Sequence, residues 1–119
     1  MGDELDDLRK QFTRDMLRGV ETLSGLGYSP KLFRRMLAEH GAVEAARRLV
    51  LARTPSYGLW KLKEMNKLDT SVEMWVLLPW YEPLFDAAVR AEAERKLTSL
   101  GCVVQLELGR LVRILESTR

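Results

Sequence analysis

Residues 70–80 read TSVEMWVLLPW, and this stretch decides the fold. Six of the seven side chains from Val72 to Leu78 are apolar, so a helix here has almost no polar face. Such a helix belongs at the centre of a core. Thr70 and Glu73 match the T-x-x-E capping box, which predicts where the helix begins. Pro79 ends it, because proline cannot continue the backbone hydrogen-bond ladder.

Shorter amphipathic helices are expected on both sides of this segment, separated by proline and glycine. Ser29-Pro30 predicts the start of the second helix, with Ser29 as its N-cap, and Gly41 separates the second helix from the third. Thr54-Pro55-Ser56 breaks the chain before a fourth helix, and Asp86 is expected to cap a sixth. The pattern predicts an all-α protein, a compact orthogonal bundle of five to seven short helices.

The 119 residues fit one domain. Its predicted parts are a long N-terminal helix (1–27), a helical core (28–100) and an apolar tail (101–119). The tail leaves two structures open. Val104, Leu108 and Leu111 have helical spacing, yet Val104, Leu106 and Leu108 also alternate, and Gly109-Arg110 fits a β-hairpin turn. We favour the helix, because the hairpin would pair Leu106 with a charged residue.

Composition and charge are ordinary for a folded protein, at 46% hydrophobic residues, 30% charged residues and a net charge of +2. The N-terminus is acidic and has no secretion signal, and Met74 to Trp80 is too short to cross a bilayer. Cys102 is the only cysteine, so no disulfide forms within the chain. We therefore expect a cytoplasmic protein that does not use a membrane.

The residue pattern contains little that indicates catalysis. His40 is the only histidine, which excludes a His-based metal cluster within one chain. Cys102 has apolar neighbours that would keep its thiol protonated and unreactive. Acidic and basic residues of the sixth helix, Glu92 and Glu94 with Arg95 and Lys96, are expected on a solvated face. We expect no enzyme activity, no catalytic residue, no metal and no cofactor.

Fragments between Gly27 and Leu97 resemble a pattern in small uncharacterised bacterial helical proteins. The matching fragments are Gly27-Tyr28, Phe33 with Met36-Leu37, residues 41–49 (GAVEAARRL), Pro55-Ser56 with Gly58-Leu59, Leu68-Asp69 with Val72-Glu73, and Leu84-Phe85. The resemblance implies a helical fold, in proteins that stand alone or lie beside nuclease or restriction-type genes. It implies no catalytic motif. This chain departs from the pattern at Ala42, where a second glycine is typical, and in its acidic first helix and apolar tail.

Surplus apolar residues favour a protein partner, either a larger protein or a second copy in a homodimer. Trp75 is expected in the core, and Trp80 and Tyr81 are expected to seal one end of it. The latter two are also candidates for anchoring a partner. The predicted partner interface comprises Leu8, Phe12, Trp80, Tyr81, Leu106, Leu108, Leu111, Val112 and Leu115.

Nucleic-acid binding is the alternative function. From Lys31 to Lys67 there are nine basic and three acidic residues, a net charge of +6. A surface of this kind can hold phosphates, although the same residues fit the solvated faces of amphipathic helices. The predicted phosphate contacts are Lys31, Arg34, Arg35, Arg47, Arg48, Arg53, Lys61 and Lys63. The third helix offers no Asn, Gln, Ser or Thr to read bases, which disfavours sequence-specific recognition.

Overall fold

Seven α-helices and two 3₁₀ helices are present in this computed structural model, which describes residues 3–53 and 57–118 without the side chain of Tyr57. The α-helices are α1 (Asp3–Gly25), α2 (Lys31–His40), α3 (Ala42–Leu51), α4 (Tyr57–Glu64), α5 (Val72–Val76), α6 (Ala87–Ser99) and α7 (Val104–Thr118). The 3₁₀ helices, Leu68–Thr70 and Pro79–Leu84, lie on either side of α5. These ranges contain no strand, so the predicted all-α class is confirmed for them.

The tail forms the helix α7, and the β-hairpin alternative is wrong. Leu108, Leu111 and Leu115 recur at helical spacing, and all three pack on the core. A hairpin would send alternate residues to opposite faces and would separate this set. The Cα radius of gyration is 13.5 Å, which is what a folded globular chain of this length is expected to have.

Hydroxyl and carboxylate side chains begin two of the helices. The carboxylate of Asp86 accepts a hydrogen bond from the Val89 backbone N–H at 3.0 Å, which confirms the predicted cap of α6. The capping box predicted for α5 is wrong at Thr70, because Ser71 is the N-cap and its Oγ accepts from the Met74 N–H at 3.1 Å. Thr70 instead uses its hydroxyl to donate to the Lys67 carbonyl within the preceding 3₁₀ helix.

The second helix also begins differently from its prediction. Pro30 occupies the N-cap position of α2, with no side-chain cap bond. The Ser29 hydroxyl accepts from the Arg34 guanidinium at 3.2 Å, so it does not cap the helix. Gly41 separates α2 from α3 as expected, at a φ of 79° that favours glycine. The predicted break at 54–56 lies outside the described residues.

The core is centred on α5 and on the aromatic residues around it. Met74, Val76 and Leu78 are fully buried. Phe12 of α1 makes edge contacts with two aromatic rings, at centroid distances of 4.9 Å to Tyr81 and 5.2 Å to Phe85. Burial of 72–78 is thus confirmed for most of the segment. Tyr81 also seals the core as predicted, and its hydroxyl donates to the carboxylate of Asp15.

The helix α5 is shorter than predicted and is not enclosed on every side. It ends at Val76, and Leu77 and Leu78 continue in a turn. Val72 and Trp75 are half-buried. The expectation of a core tryptophan is therefore wrong in part, because one side of Trp75 packs on the core and the residue also lines an open cleft.

Candidate functional site

A cleft of about 610 Å³ opens between α1, α2, α4 and α5, with the end of α7 at one side. The α1 wall runs from Asp15 to Leu23. Because α1 rises 1.5 Å per residue, this wall is about 12 Å long. The cleft lies directly beside the core, since Met16 and Val20 of α1 belong to both.

Most of the lining is apolar. Leu59 and Leu62 of α4 form part of one wall, and Val72 of α5 and Leu115 of α7 contribute to others. Leu32 at the start of α2 also lines the cleft and is 49% exposed. Leu32 therefore extends the apolar surface of the cleft toward solvent.

Trp75 is held in the cleft wall by a hydrogen bond. Its indole N–H donates to the carbonyl of Asp69 at 2.9 Å. That carbonyl belongs to the 3₁₀ helix before α5, so the ring orientation is tied to the backbone. A fixed, half-buried indole offers a large apolar contact area at low entropic cost, as hot-spot residues of interfaces do.

Gly19 occupies the middle of the α1 wall. A Cβ atom built on this residue meets no atom within 4 Å, so the space beside its backbone is open. Glycine in a helix interior costs about 1 kcal/mol relative to alanine. Here the missing side chain leaves room in the cleft.

Two carboxyl groups and two basic groups line the cleft, and they differ in exposure. Asp15 and Glu73 are buried, whereas Arg18 and Lys31 are exposed at the rim. Asp15 accepts the hydrogen bond from Tyr81. The charge that the cleft presents to solvent is therefore positive.

Glu73 and Lys96 form a buried pair of opposite charges that the sequence did not predict. Glu73 is 2% exposed and Lys96 is 0% exposed. Burial raises the pKa of Glu73, while the positive charge of Lys96 opposes that rise. Burial also lowers the pKa of Lys96, against the effect of Glu73. The expectation that Lys96 lies on a solvated face with Glu92 is wrong.

The two buried groups do not form a direct ion pair. The Lys96 ammonium donates to the Leu49 carbonyl at 3.3 Å, which joins α6 to α3. Within the described part of the chain, Oε2 of Glu73 has no hydrogen-bond partner. An unsatisfied buried oxygen of this kind destabilises the charged form of the carboxyl group.

The predicted partner interface does not form one accessible surface. Phe12, Tyr81 and Leu111 lie in the core, where they cannot reach a partner in this conformation. Phe12 and Tyr81 are buried where α1 packs on the second 3₁₀ helix, and Leu111 lies on α7, which packs on α6 and the first 3₁₀ helix. Leu106 is the exposed member of the set, at 48%. The half-buried members, which pack against the core, are Leu8, Trp80, Leu108, Val112 and Leu115.

The predicted phosphate contacts are on the surface, and half of them lie beside carboxylates of their own helices. The ion pairs are Arg35–Glu39 at 3.8 Å, Arg47–Glu44 at 3.0 Å, Arg48–Glu44 at 3.7 Å and Lys61–Glu64 at 3.9 Å. Among the others, Lys63 has its ammonium 5.5 Å from the ring centroid of Trp60, a residue that is 48% exposed. Arg34 bonds Ser29.

Residues with catalytic or metal-binding chemistry are dispersed. His40 accepts a hydrogen bond from Arg48 on the neighbouring helix. Burial raises the pKa of the Cys102 thiol, and the negative charge of Glu107 adds to this. Residues 3–53 and 57–118 contain no group of three His, Cys, Asp or Glu side chains that could hold a metal ion.

Within the described ranges, no helix has the length and apolar character needed to cross a bilayer. In comparisons with known proteins, no family model, curated protein or solved structure matches this chain significantly. The resemblance to bacterial helical proteins therefore stays a prediction.

Proposed function

We propose that this protein is a non-enzymatic binding module whose cleft receives the apolar face of a helix from a protein partner. The observation that carries the proposal is the open, mainly apolar cleft of about 610 Å³ with Gly19 in its wall. Its volume lies within the range of concave ligand pockets, and its length and apolar lining are what favour a helix. The free cysteine is compatible with the reducing cytoplasm that we propose for it.

The length of the cleft supports a helix as the bound element. Apolar anchors at positions i, i+4 and i+7 of a helix span about 10 Å. The α1 wall between Asp15 and Leu23 extends about 12 Å. Leu32 of α2 and Trp75 of α5 add apolar contacts to the lining, and the Trp75 ring is held by its hydrogen bond to the Asp69 carbonyl.

Gly19 provides the sharpest test. Gly19→Leu places a side chain in the cleft without a clash at Cβ. It also raises the helix propensity of α1 by about 1 kcal/mol. The probe is a fluorescein-labelled, alanine-based peptide of roughly 18 residues, with leucine at i, i+4 and i+7 and glutamine elsewhere. We expect Gly19→Leu to weaken peptide binding at least about tenfold in fluorescence anisotropy.

Gly109→Leu is the matched control, because Gly109 lies within α7, outside the cleft, and its Cβ would also meet no atom within 4 Å. We expect this variant to bind the peptide as the wild type does. Equal binding by the wild type and Gly19→Leu, with both proteins folded by circular dichroism, would contradict the proposal.

Nucleic-acid binding is the second candidate, as an accessory domain that we would link to a nuclease or restriction-type system. The exposed Trp60 with Lys63 over its ring favours it, because an aromatic face beside a cation is typical of single-strand binding. We rank it second because half of the predicted phosphate contacts lie beside carboxylates.

Gel shifts with duplex and single-stranded DNA at two salt concentrations test this second function. Binding through phosphates must weaken steeply as salt is raised. A Lys61→Ala, Lys63→Ala double variant should then lose affinity, whereas Lys10→Ala on α1 should not. Absence of any shift at low salt excludes the second function.

A further inference from the structure

The charges around the cleft indicate which kind of helix it receives. Four charged residues line it, namely Asp15, Arg18, Lys31 and Glu73. The two acidic side chains are buried, and the two basic ones are exposed at the rim. A bound molecule would therefore contact an apolar interior with positive charge at its rim.

Several arginines elsewhere in the molecule are paired with carboxylates of their own helices, whereas the two rim cations are not, among the residues that the structure describes. Arg9, Arg47 and Arg95 each form an ion pair with a carboxylate three residues away on the same helix. Neither Arg18 nor Lys31 forms an ion pair with any residue in the described ranges. These two cations are free to contact carboxylates supplied by another molecule.

The two cations also lie on different walls. Arg18 belongs to α1, whereas Lys31 is the first residue of α2, next to the exposed Leu32. A helix lying between α1 and α2 with its apolar face inward would place its flanking positions beside both cations. Carboxylates at those flanking positions would complement the rim, while ammonium groups there would be repelled.

We infer that the natural occupant of this cleft is an acidic amphipathic helix of another protein, with its leucine-type face in the cleft and its carboxylates on Arg18 and Lys31. The inference rests on the proposed function, because it specifies the charge of the helix that the cleft receives. It gives the rim cations a role in choosing the partner and leaves the apolar walls to supply the affinity.

Three peptides that share the same three leucines test the inference. Their flanking positions carry glutamate, glutamine or lysine, and binding is measured by fluorescence anisotropy at low and physiological salt. Exposed ion pairs contribute at most about 1 kcal/mol each, so we expect the glutamate peptide to bind roughly tenfold more tightly than the glutamine peptide at low salt. The lysine peptide should bind most weakly.

Charge reversal at the rim should invert this order. In the double variant Arg18→Glu, Lys31→Glu, the lysine peptide should bind more tightly than the glutamate peptide. Lys10→Glu is the control, since Lys10 lies on α1 about 12 Å along the axis from Arg18 and outside the cleft. It makes the same charge change as either single substitution at the rim, and it should preserve the order found for the wild type.

Each other outcome has a defined meaning. Equal binding of all three peptides, with each blocked by Gly19→Leu, would overturn the inference and retain the proposed function. Decanoate, a fatty acid that has an apolar chain but no helix, is the small-molecule control. Failure of all three peptides to bind, or binding of decanoate but of no peptide, would overturn both the inference and the proposed function. Self-association in sedimentation that Gly19→Leu abolishes would identify a second copy of this chain as the occupant and would overturn the inference.

Discussion

Two faces of α5 both carry apolar residues, but their surroundings differ. On one face, Met74 is fully buried, in a helix that packs mainly on α3 and α6. On the other, Val72 and Trp75 are half-buried and line the cleft. An apolar stripe in the sequence therefore indicates only that a helix face is removed from water. It does not report whether the face is covered by this chain or by another molecule.

Neighbouring residues of α5 therefore have different roles. The Met74 face holds the helices together, so its loss should be seen in stability. The Trp75 face is only partly covered, so its loss should be seen more in binding. Truncation of one residue from each face separates these roles most directly.

Met74→Ala should have the largest effect on stability. The side chain is fully buried, so its removal leaves a cavity in the core and should cost about 2–5 kcal/mol in urea unfolding. Met65→Ala is the matched control, because Met65 follows the last residue of α4 and its side chain is half-buried. It should cost less than about 1 kcal/mol. Similar losses for the two variants would mean that the Met74 face is not the structural one.

Trp75→Ala should destabilise the protein less than a fully enclosed tryptophan would, for which about 3–5 kcal/mol is expected. We expect about 2 kcal/mol, because the indole is open to the cleft on one side and its hydrogen bond to Asp69 is lost. Binding of the glutamate peptide should weaken at least about tenfold.

Trp60→Ala is the control for Trp75→Ala, since Trp60 is half-exposed on α4 and outside the cleft. It should leave the affinity for the peptide unchanged. The contrast between the faces of α5 fails if Trp75→Ala leaves peptide binding intact, or if it costs as much stability as Met74→Ala.

Glu73 lies between the two faces and should make stability depend on pH. Burial raises its pKa above 4.5 in the folded protein, so the folded state binds the proton more tightly than the unfolded state. Stability from this group is then full below pH 4.5 and is lost as pH rises through the folded pKa. Glu73→Gln removes the dependence.

The measured quantity is the difference in unfolding free energy, Glu73→Gln minus wild type. It should increase with pH above about 4.5, by at most about 1.4 kcal/mol per pH unit. Lys96→Met should extend this pH window upward, because Lys96 is the charge that opposes the rise in the Glu73 pKa. A difference that stays constant from pH 4.5 to pH 8 would contradict burial of the carboxyl group.

Local sequence signals predicted much of the fold because they depend on nearby residues. The Asp86 cap, the Gly41 break and the burial of Met74 and Leu78 each follow from a few adjacent positions. The cleft could not be predicted in this way, because its volume depends on how far apart α1, α2 and α4 lie. Gly19 was only a partial signal, because Gly109 is also a helix-interior glycine without a conformational reason and lies outside the cleft.

The buried charges were missed for a different reason. Lys96 follows Arg95 in a helix rich in charges, so its neighbours suggested a solvated face. Glu73 was assigned to a capping box, which requires an accessible side chain near the helix start. Yet burial of an almost wholly apolar helix also buries its one polar residue, so the enclosed position of Glu73 was implicit in the sequence.

The start of α5 offers the smallest and most selective test, because both faces depend on it. Ser71→Ala leaves the buried Met74 N–H without its acceptor and should cost about 1–2 kcal/mol. Thr70→Ala should cost less than about 0.5 kcal/mol, since the Lys67 carbonyl keeps the hydrogen bond from the Thr70 backbone N–H. A larger loss for Thr70→Ala in urea unfolding would restore the capping box and move the start of the helix. Both faces of α5 would then be assigned to the wrong surroundings, and the contrast between Met74 and Trp75 would fail with them.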